Sequence, residues 1–197
     1  MTIDGMDGWT VCGEASNGRE AVELAGKLRP DIVVMDMSMP DLNGIEATRQ
    51  VRRECPGTEV LMFTGQEAEE LIHQVFDAGA LSYILKTDGH EHFTAALRAL
   101  AAHKPYFTTE VGEILFAKFL RGKKGREEDP GEGRLTARER EIVQLLAEGH
   151  GNKAVAGTLG ISVKTVETHR AAVMKKLRLQ AFSDLVRYAI RNHLVSA

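Results

Sequence analysis

The chain has 197 residues, enough for one large domain or two small ones. Its 43% apolar and 27% charged residues exclude a disordered chain, and no apolar run approaches the roughly 20 residues needed to cross a bilayer. A net charge of −3 conceals an asymmetry, because residues 134–197 carry 11 Lys/Arg against 5 Asp/Glu whereas the first 133 carry 14 against 23. An acidic half joined to a basic half implies different partners, with nucleic acid the candidate for the basic one. The opening MTIDGMDGWT has neither the basic nor the apolar region of a secretory leader. Cys12 and Cys55 match no disulfide or metal spacing, and reduced thiols of a cytoplasmic protein are expected.

In chain order, Trp9–Ala15 reads as a strand and Arg19–Leu28 as a helix with Ala21, Val22, Leu24, Ala25 and Leu28 on one face. Arg29-Pro30 ends that helix. Asp31–Met35 is a short β-branched run suited to a buried parallel strand. A helix is expected over Ile45–Arg53, a strand over Val60–Phe63, a helix over Glu67–Ala78 stopped by Gly79, a strand over Ser82–Leu85 and a helix over Glu91–Ala102. Strands alternating with helices of this length predict a doubly wound parallel sheet. A Thr-capped helix over Thr109–Leu120 follows, then Arg121–Gly133, which lacks any apolar residue and reads as a flexible linker.

Beyond the linker the pattern is helical in four short pieces. Thr136-Ala137-Arg138-Glu139 is a capping box opening a helix with Ile142, Val143, Leu145 and Leu146 inward. Asn152 is expected to cap Lys153–Leu159, which Gly160 ends; Ser162 to cap Val163–Leu177; and Ser183 to cap Asp184–His193.

Asp36 follows the buried run Ile32–Met35, Thr64 ends the next strand and Lys86 the one after. Ligands of open α/β sheets bind at the carboxyl ends of strands, so three polar groups converge on one rim. A hydroxyl and an ammonium there can stabilise an anion formed on the carboxylate, whereas an isolated Asp or Lys would be only a loop cap or a solvated charge. Met37-Ser38-Met39-Pro40 and Asn43-Gly44 make a tight loop beside Asp36.

The stretch from about Trp9 to Phe107 resembles the receiver domains of two-component response regulators. The resemblance rests on Asp36–Pro40 (D-x-x-M-P), Val60–Thr64 (V-L-M-x-T), Lys86 and the aromatic Tyr83 three residues before it. It implies that Asp36 is phosphorylated by a sensor histidine kinase, that Thr64 and Lys86 hold the phosphoryl oxygens, and that Tyr83 turns inward when Thr64 moves. It also implies Mg²⁺, held by Asp36, by the backbone carbonyl of Ser38 and by an acidic pair at the end of the family's first strand. Here the sequence departs from the family. Asp4 and Asp7 lie too close to Trp9 to leave room for the helix that should separate that pair from the second strand. Asp36 is therefore nearly alone as a Mg²⁺ ligand. The fold expected is a flavodoxin-like receiver lacking its first strand and helix, with open strand edges. A coding start upstream of Met1 is the favoured explanation; a fragment with a damaged receiver, or a strand supplied by another molecule, are the others.

In the last 63 residues, a short helix, a Gly-ended turn and a Ser-capped longer helix make a helix-turn-helix pattern. The longer helix divides by face. Val166, Val173 and Leu177 form the inward stripe with His169 and Arg170 on its flanks, while Lys164, Glu167, Thr168, Ala171, Lys175 and Arg178 lie opposite, placed to enter a major groove. Lys175 and Lys176 near its end suit phosphates or simply the helix dipole. Asn152 and Lys153 are placed to bind a phosphate at a helix start. The segment Leu135–Val195 closely resembles LuxR-type DNA-binding domains in Leu135-Thr136-x-Arg138-Glu139-x-Glu141, Asn152-Lys153, Leu159-x-Ile161-Ser162, Thr165-Val166-x-x-His169 and Lys176-Leu177. It implies double-stranded DNA as ligand, read by Asn152, Lys153, Lys164, Thr165, Glu167, Thr168, Arg170, Ala171 and Lys175. A homodimer joined partly through the last helix and contact with RNA polymerase are further implications.

The whole reads as a receiver over residues 1–107, a helix and linker over 108–134, and a LuxR-type helix-turn-helix over 135–197. The function expected is a cytoplasmic, phosphorylation-gated transcription factor with no membrane partner. The alternative is a phosphorylation-independent DNA-binding regulator whose receiver serves only protein contact. No separate nucleophile–base pair or cofactor loop points to an enzyme.

Overall fold

The computed structural model describes residues 3, 6, 8–65, 68–122 and 135–195. Asp4, Asp7, the start of the predicted helix at Glu67 and nearly all of the predicted linker lie outside the described residues. The chain forms two compact units; among the described residues the first holds four strands and five helices and the second four helices.

In the first unit the order is α1 (Gly18–Leu28), β1 (Ile32–Met35), α2 (Gly44–Glu54), β2 (Glu59–Thr64), α3 (Glu69–Asp77), β3 (Ser82–Leu85), α4 (Gly89–Ala101), β4 (Tyr106–Phe107) and α5 (Thr109–Gly122). Asn17 starts α1, its side chain accepting the Glu20 N–H at 2.9 Å, and Arg29 ends it in the left-handed region at φ 48°. The strands lie side by side in the order β1-β2-β3-β4, all parallel and with helices between them, the parallel α/β arrangement expected. All but one residue of β2 are buried, as a strand covered on both faces requires. On one face Leu61 and Ile84 pack with Phe93, Ala96, Leu97 and Leu100 of α4, and the Phe63 and Phe93 rings meet at 5.0 Å. The start of β2 is tied by a network in which buried Glu59 accepts from Arg52 at 2.8 Å and meets His103 at 3.0 Å.

The first unit differs from the sequence expectation in two places. Residues 9–15 form no strand: they have no regular structure, and Val11 is 40% exposed. Strand propensity becomes a strand only when a neighbouring backbone supplies the ladder, and no described strand lies beside this segment. β1 is accordingly an edge, with Val34 at 37% exposure. The second difference is β4, an element the sequence does not mark: a two-residue strand with no alternation for a periodicity argument to detect, paired with β3 at Ser82 and Tyr83. Beyond it, α5 packs on α3, with Val111 buried and Phe116, Phe119 and Leu120 more than half exposed.

The second unit comprises α6 (Ala137–Ala147), α7 (Asn152–Leu159), α8 (Val163–Lys176) and α9 (Phe182–Arg191). Its core is Leu135, Ile142, Val143, Leu145, Leu146, Val155, Ala156, Val166, Val173, Leu185, Ala189 and Leu194, which includes the inward residues that helical periodicity selects on α6 and α8 except Leu177, packed half-buried against it. The capping box at α6 is complete, with Glu139 N–H donating to Thr136 Oγ1 at 3.2 Å and Thr136 N–H to Glu139 Oε2 at 2.7 Å. Arg138 bridges to the end of α7, donating to the Leu159 carbonyl at 2.9 Å. Gly160, at φ 64°, ends α7, and Ser162 Oγ caps α8 by accepting the Thr165 N–H at 3.1 Å.

Two caps differ from expectation. Gly151, not Asn152, precedes α7, and Asn152 is its first helical residue. At α9 the helix begins at Phe182 rather than Asp184. The Asp184 carboxylate reaches back to the N–H groups of Ala181 at 2.9 Å and Gln180 at 3.2 Å, so the start needs no serine.

Candidate phosphoacceptor rim and nucleic-acid interface

Three adjacent parallel strands deliver the rim. Register pairs Met35 with Met62 and Thr64 with Leu85, so Asp36, Thr64 and Lys86 emerge at the same sheet edge. The Lys86 N–H extends the ladder by donating to the Thr64 carbonyl at 2.8 Å. Its side chain closes the site, with Nζ 2.7 Å from Asp36 Oδ2. Asp36 is 35% exposed and Lys86 47%, so the pair is open to a ligand from solvent. Thr64 is buried. Tyr83 is buried too, and because it pairs with Met62, two residues before Thr64, it shares the sheet face on which Thr64 lies. Ser38 is exposed in the loop two residues past Asp36.

That loop depends on a close approach. Gly44 donates its N–H to the Met37 carbonyl at 2.9 Å, and a Cβ on Gly44 would lie 2.0 Å from the Asp36 carbonyl oxygen. Only glycine lets α2 start so near the carboxylate. Its role in positioning Asp36 is an addition to the sequence reading, which saw only a turn signal.

On the second unit the structure separates α8 as its periodicity requires. Val166 and Val173 are buried; Leu177, Thr165, His169 and Arg170 are half-buried; and Lys164, Glu167, Thr168, Ala171, Lys175 and Arg178 are exposed. The Thr168 hydroxyl donates to the Lys164 carbonyl at 2.9 Å, and the Thr165 hydroxyl lies 2.8 Å from that of the capping Ser162. Lys153 is exposed and Asn152 half-buried at the start of α7. Lys176 points elsewhere: its Nζ donates to Glu139 Oε2 at 2.9 Å. That carboxylate titrates below its ordinary range. Burial would raise its pKa, but the Thr136 N–H and the Lys176 ammonium together outweigh it. Phe182, absent from the sequence reading, brings its ring under the Arg170 guanidinium at 5.2 Å.

Residues 2–98 match the response regulator receiver domain, and residues 133–189 match the LuxR family of bacterial regulatory proteins. The chain is 38% identical to the transcriptional regulatory protein LiaR of Bacillus subtilis over 186 residues, covering 94% of this chain and 87% of LiaR. This chain belongs to the LuxR-type response regulators. The response regulator is also 36% identical to VraR of Staphylococcus aureus, over 94% of its own length and 86% of VraR. Among solved structures it resembles RcsB from Salmonella enterica serovar Typhimurium bound to promoter rprA in the presence of phosphomimetic BeF3−. The TM-score is 0.56 and the identity 25%, covering 91% of this chain and 84% of that one. A LuxR-family response regulator from Aurantimonas aligns over 60% of this chain and 84% of its own, with TM-score 0.55 and 29% identity. As a member of this family, the response regulator is a DNA-binding regulator of transcription gated by phosphorylation, not an enzyme. No helix among the described residues is long and apolar enough to cross a membrane.

Proposed function

We propose that Asp36 is the phosphoacceptor of this response regulator and that its state governs how α7 and α8 engage duplex DNA. The observation that carries the first half is the Lys86–Asp36 contact of 2.7 Å at a rim that Thr64 also reaches. A sensor histidine kinase is the donor: the phosphoryl group leaves a kinase imidazole nitrogen as its bond to an Asp36 carboxylate oxygen forms. Phosphorylation adds about −1.5 to −2 charges and three strong acceptors. Lys86 then moves its ammonium from the carboxylate to a phosphoryl oxygen, Thr64 turns its hydroxyl to another, and Tyr83 follows Thr64 on their common sheet face.

Receiver domains use Mg²⁺ for this transfer, which supplies charge neutralisation at the phosphoryl oxygens. The described residues fit the ion poorly. Among them no group of three ligand-bearing side chains includes Asp36, whose one carboxylate already faces Lys86, and the Ser38 carbonyl adds a single neutral donor.

For DNA, α8 enters the major groove with Lys164, Glu167, Thr168 and Ala171 toward base edges. Thr165, Arg170 and Lys175, with Asn152 and Lys153 at the start of α7, meet the flanking phosphates. The RcsB structure on promoter DNA supports this assignment by its likeness in fold. A homodimer would place two such helices on half-sites roughly 10 base pairs apart or a multiple of that. RNA polymerase is the downstream partner, and the compartment is the cytoplasm, in keeping with two unpaired cysteines. The domains are residues 1–107 and 135–197, joined by 108–134.

The test of the groove assignment is a pair of substitutions on the exposed face of α8. Thr168→Ala and Lys164→Ala should each weaken binding to the regulated promoter by roughly 5- to 100-fold while leaving the far-ultraviolet spectrum unchanged. Undiminished promoter affinity in both variants would remove α8 from the groove.

A further inference from the structure

We infer that Phe182, the first residue of α9, is a positioning residue that holds Arg170 in place for a DNA phosphate. The inference rests on reading α8 as the DNA-contacting helix. Arg170 lies on the flank of α8, half-buried, between the inward stripe of Val166 and Val173 and the exposed face of Lys164, Thr168 and Lys175. A side chain at that height on a groove-bound helix meets the backbone wall of the groove rather than base edges.

An unsupported arginine there would sample many rotamers and lose that freedom on binding. Phe182 removes part of the cost beforehand. Its ring sits 5.2 Å from the guanidinium carbon, within the range of a cation–π contact. The contact leaves the arginine's chemistry available, because a guanidinium carbon seated over an aromatic ring engages one side of the group, and a planar fork of five N–H donors retains others for a phosphate oxygen. Phe182 is 40% exposed, so core packing does not account for an aromatic side chain there. Nor is it needed to start α9, since the Asp184 carboxylate caps that helix on the Ala181 and Gln180 N–H groups.

The experiment measures affinity of the full chain for a mixed-sequence duplex across a salt series, for Arg170→Ala, Phe182→Leu, the double variant and Phe182→Tyr. Arg170→Ala is expected to weaken binding and to reduce the salt slope by about one unit, the signature of one lost phosphate contact. Phe182→Leu keeps the charge and the bulk but loses the π face, so it should weaken binding by about two- to fivefold with the slope unchanged. Phe182→Tyr should restore wild-type affinity, and Phe182→Leu should have no effect in the Arg170→Ala background. Wild-type affinity for Phe182→Leu, or an equal loss with and without Arg170, overturns the positioning role. An Arg170→Ala variant with unchanged affinity and slope instead overturns the placement of Arg170 on DNA, a separate failure read from a separate variant. Thermal unfolding and sedimentation of each variant are expected to match wild type. A loss of fold or of assembly that follows Phe182→Leu and is not rescued by tyrosine also counts against the role.

Discussion

Lys86 and Asp36 form an ion pair at 2.7 Å with both side chains partly open to solvent. Exposed pairs contribute only about 0–1 kcal/mol, so this contact is not there to hold the first unit together. A close lysine at a carboxylate that neither buries nor stabilises much is explained by what happens after the carboxylate gains charge. Lys86→Ala should therefore leave the thermal midpoint within about 2–4 °C of wild type. It should also abolish the change in DNA affinity that a phosphodonor produces, as read by the same binding titration with and without donor. A large stability loss with the donor response intact would make the lysine structural. Gly44 belongs to the same scale: its missing Cβ is what allows the loop to close against the Asp36 backbone. The convergence of Asp36, Thr64 and Lys86 on one rim was legible because each residue ends or directly follows a strand whose pattern is local. Phe182 was not, because its partner lies twelve residues away across a turn whose path no periodicity reveals.

At the scale of elements, Glu139 joins two jobs: it completes the α6 capping box by accepting from Thr136 N–H, and it ties Lys176 of α8 to the start of α6. Its pKa is lowered in the folded state, against the opposing effect of burial. A depressed carboxylate contributes stability above its ordinary pKa, and that contribution disappears as pH falls through the folded value. The second unit should thus lose stability on the acid side of the ordinary carboxylate range. Glu139→Gln should be less stable at neutral pH and show a flatter acid limb in denaturant titrations at several pH values. An identical acid limb in wild type and variant would assign the lowered pKa no energetic role. The capping box was readable as a four-residue code, whereas the Lys176 contact, 37 residues away, was not. The segment at residues 9–15 shows the converse. Its composition favours a strand, but a ladder needs a neighbour, and sequence-local reasoning supplies the propensity without the partner.

For the whole molecule, charge is divided between the halves: the acidic first half carries the rim of Asp36, Thr64 and Lys86 proposed as the phosphoacceptor site, and the basic second half presents a helix with cations along its exposed face and flanks. Long-range attraction to DNA comes from the second unit, and the switch lies in the first, so gating requires that the charge gained at Asp36 alter the DNA-binding state of α6–α9. The measurement that tests this most directly is duplex affinity at fixed salt, with and without a small-molecule phosphodonor, for wild type and Asp36→Asn. The account predicts tighter binding by wild type when the donor is present, and basal affinity without any donor response for Asp36→Asn. Equal affinities for wild type under both conditions, or a donor response that survives in Asp36→Asn, would contradict it.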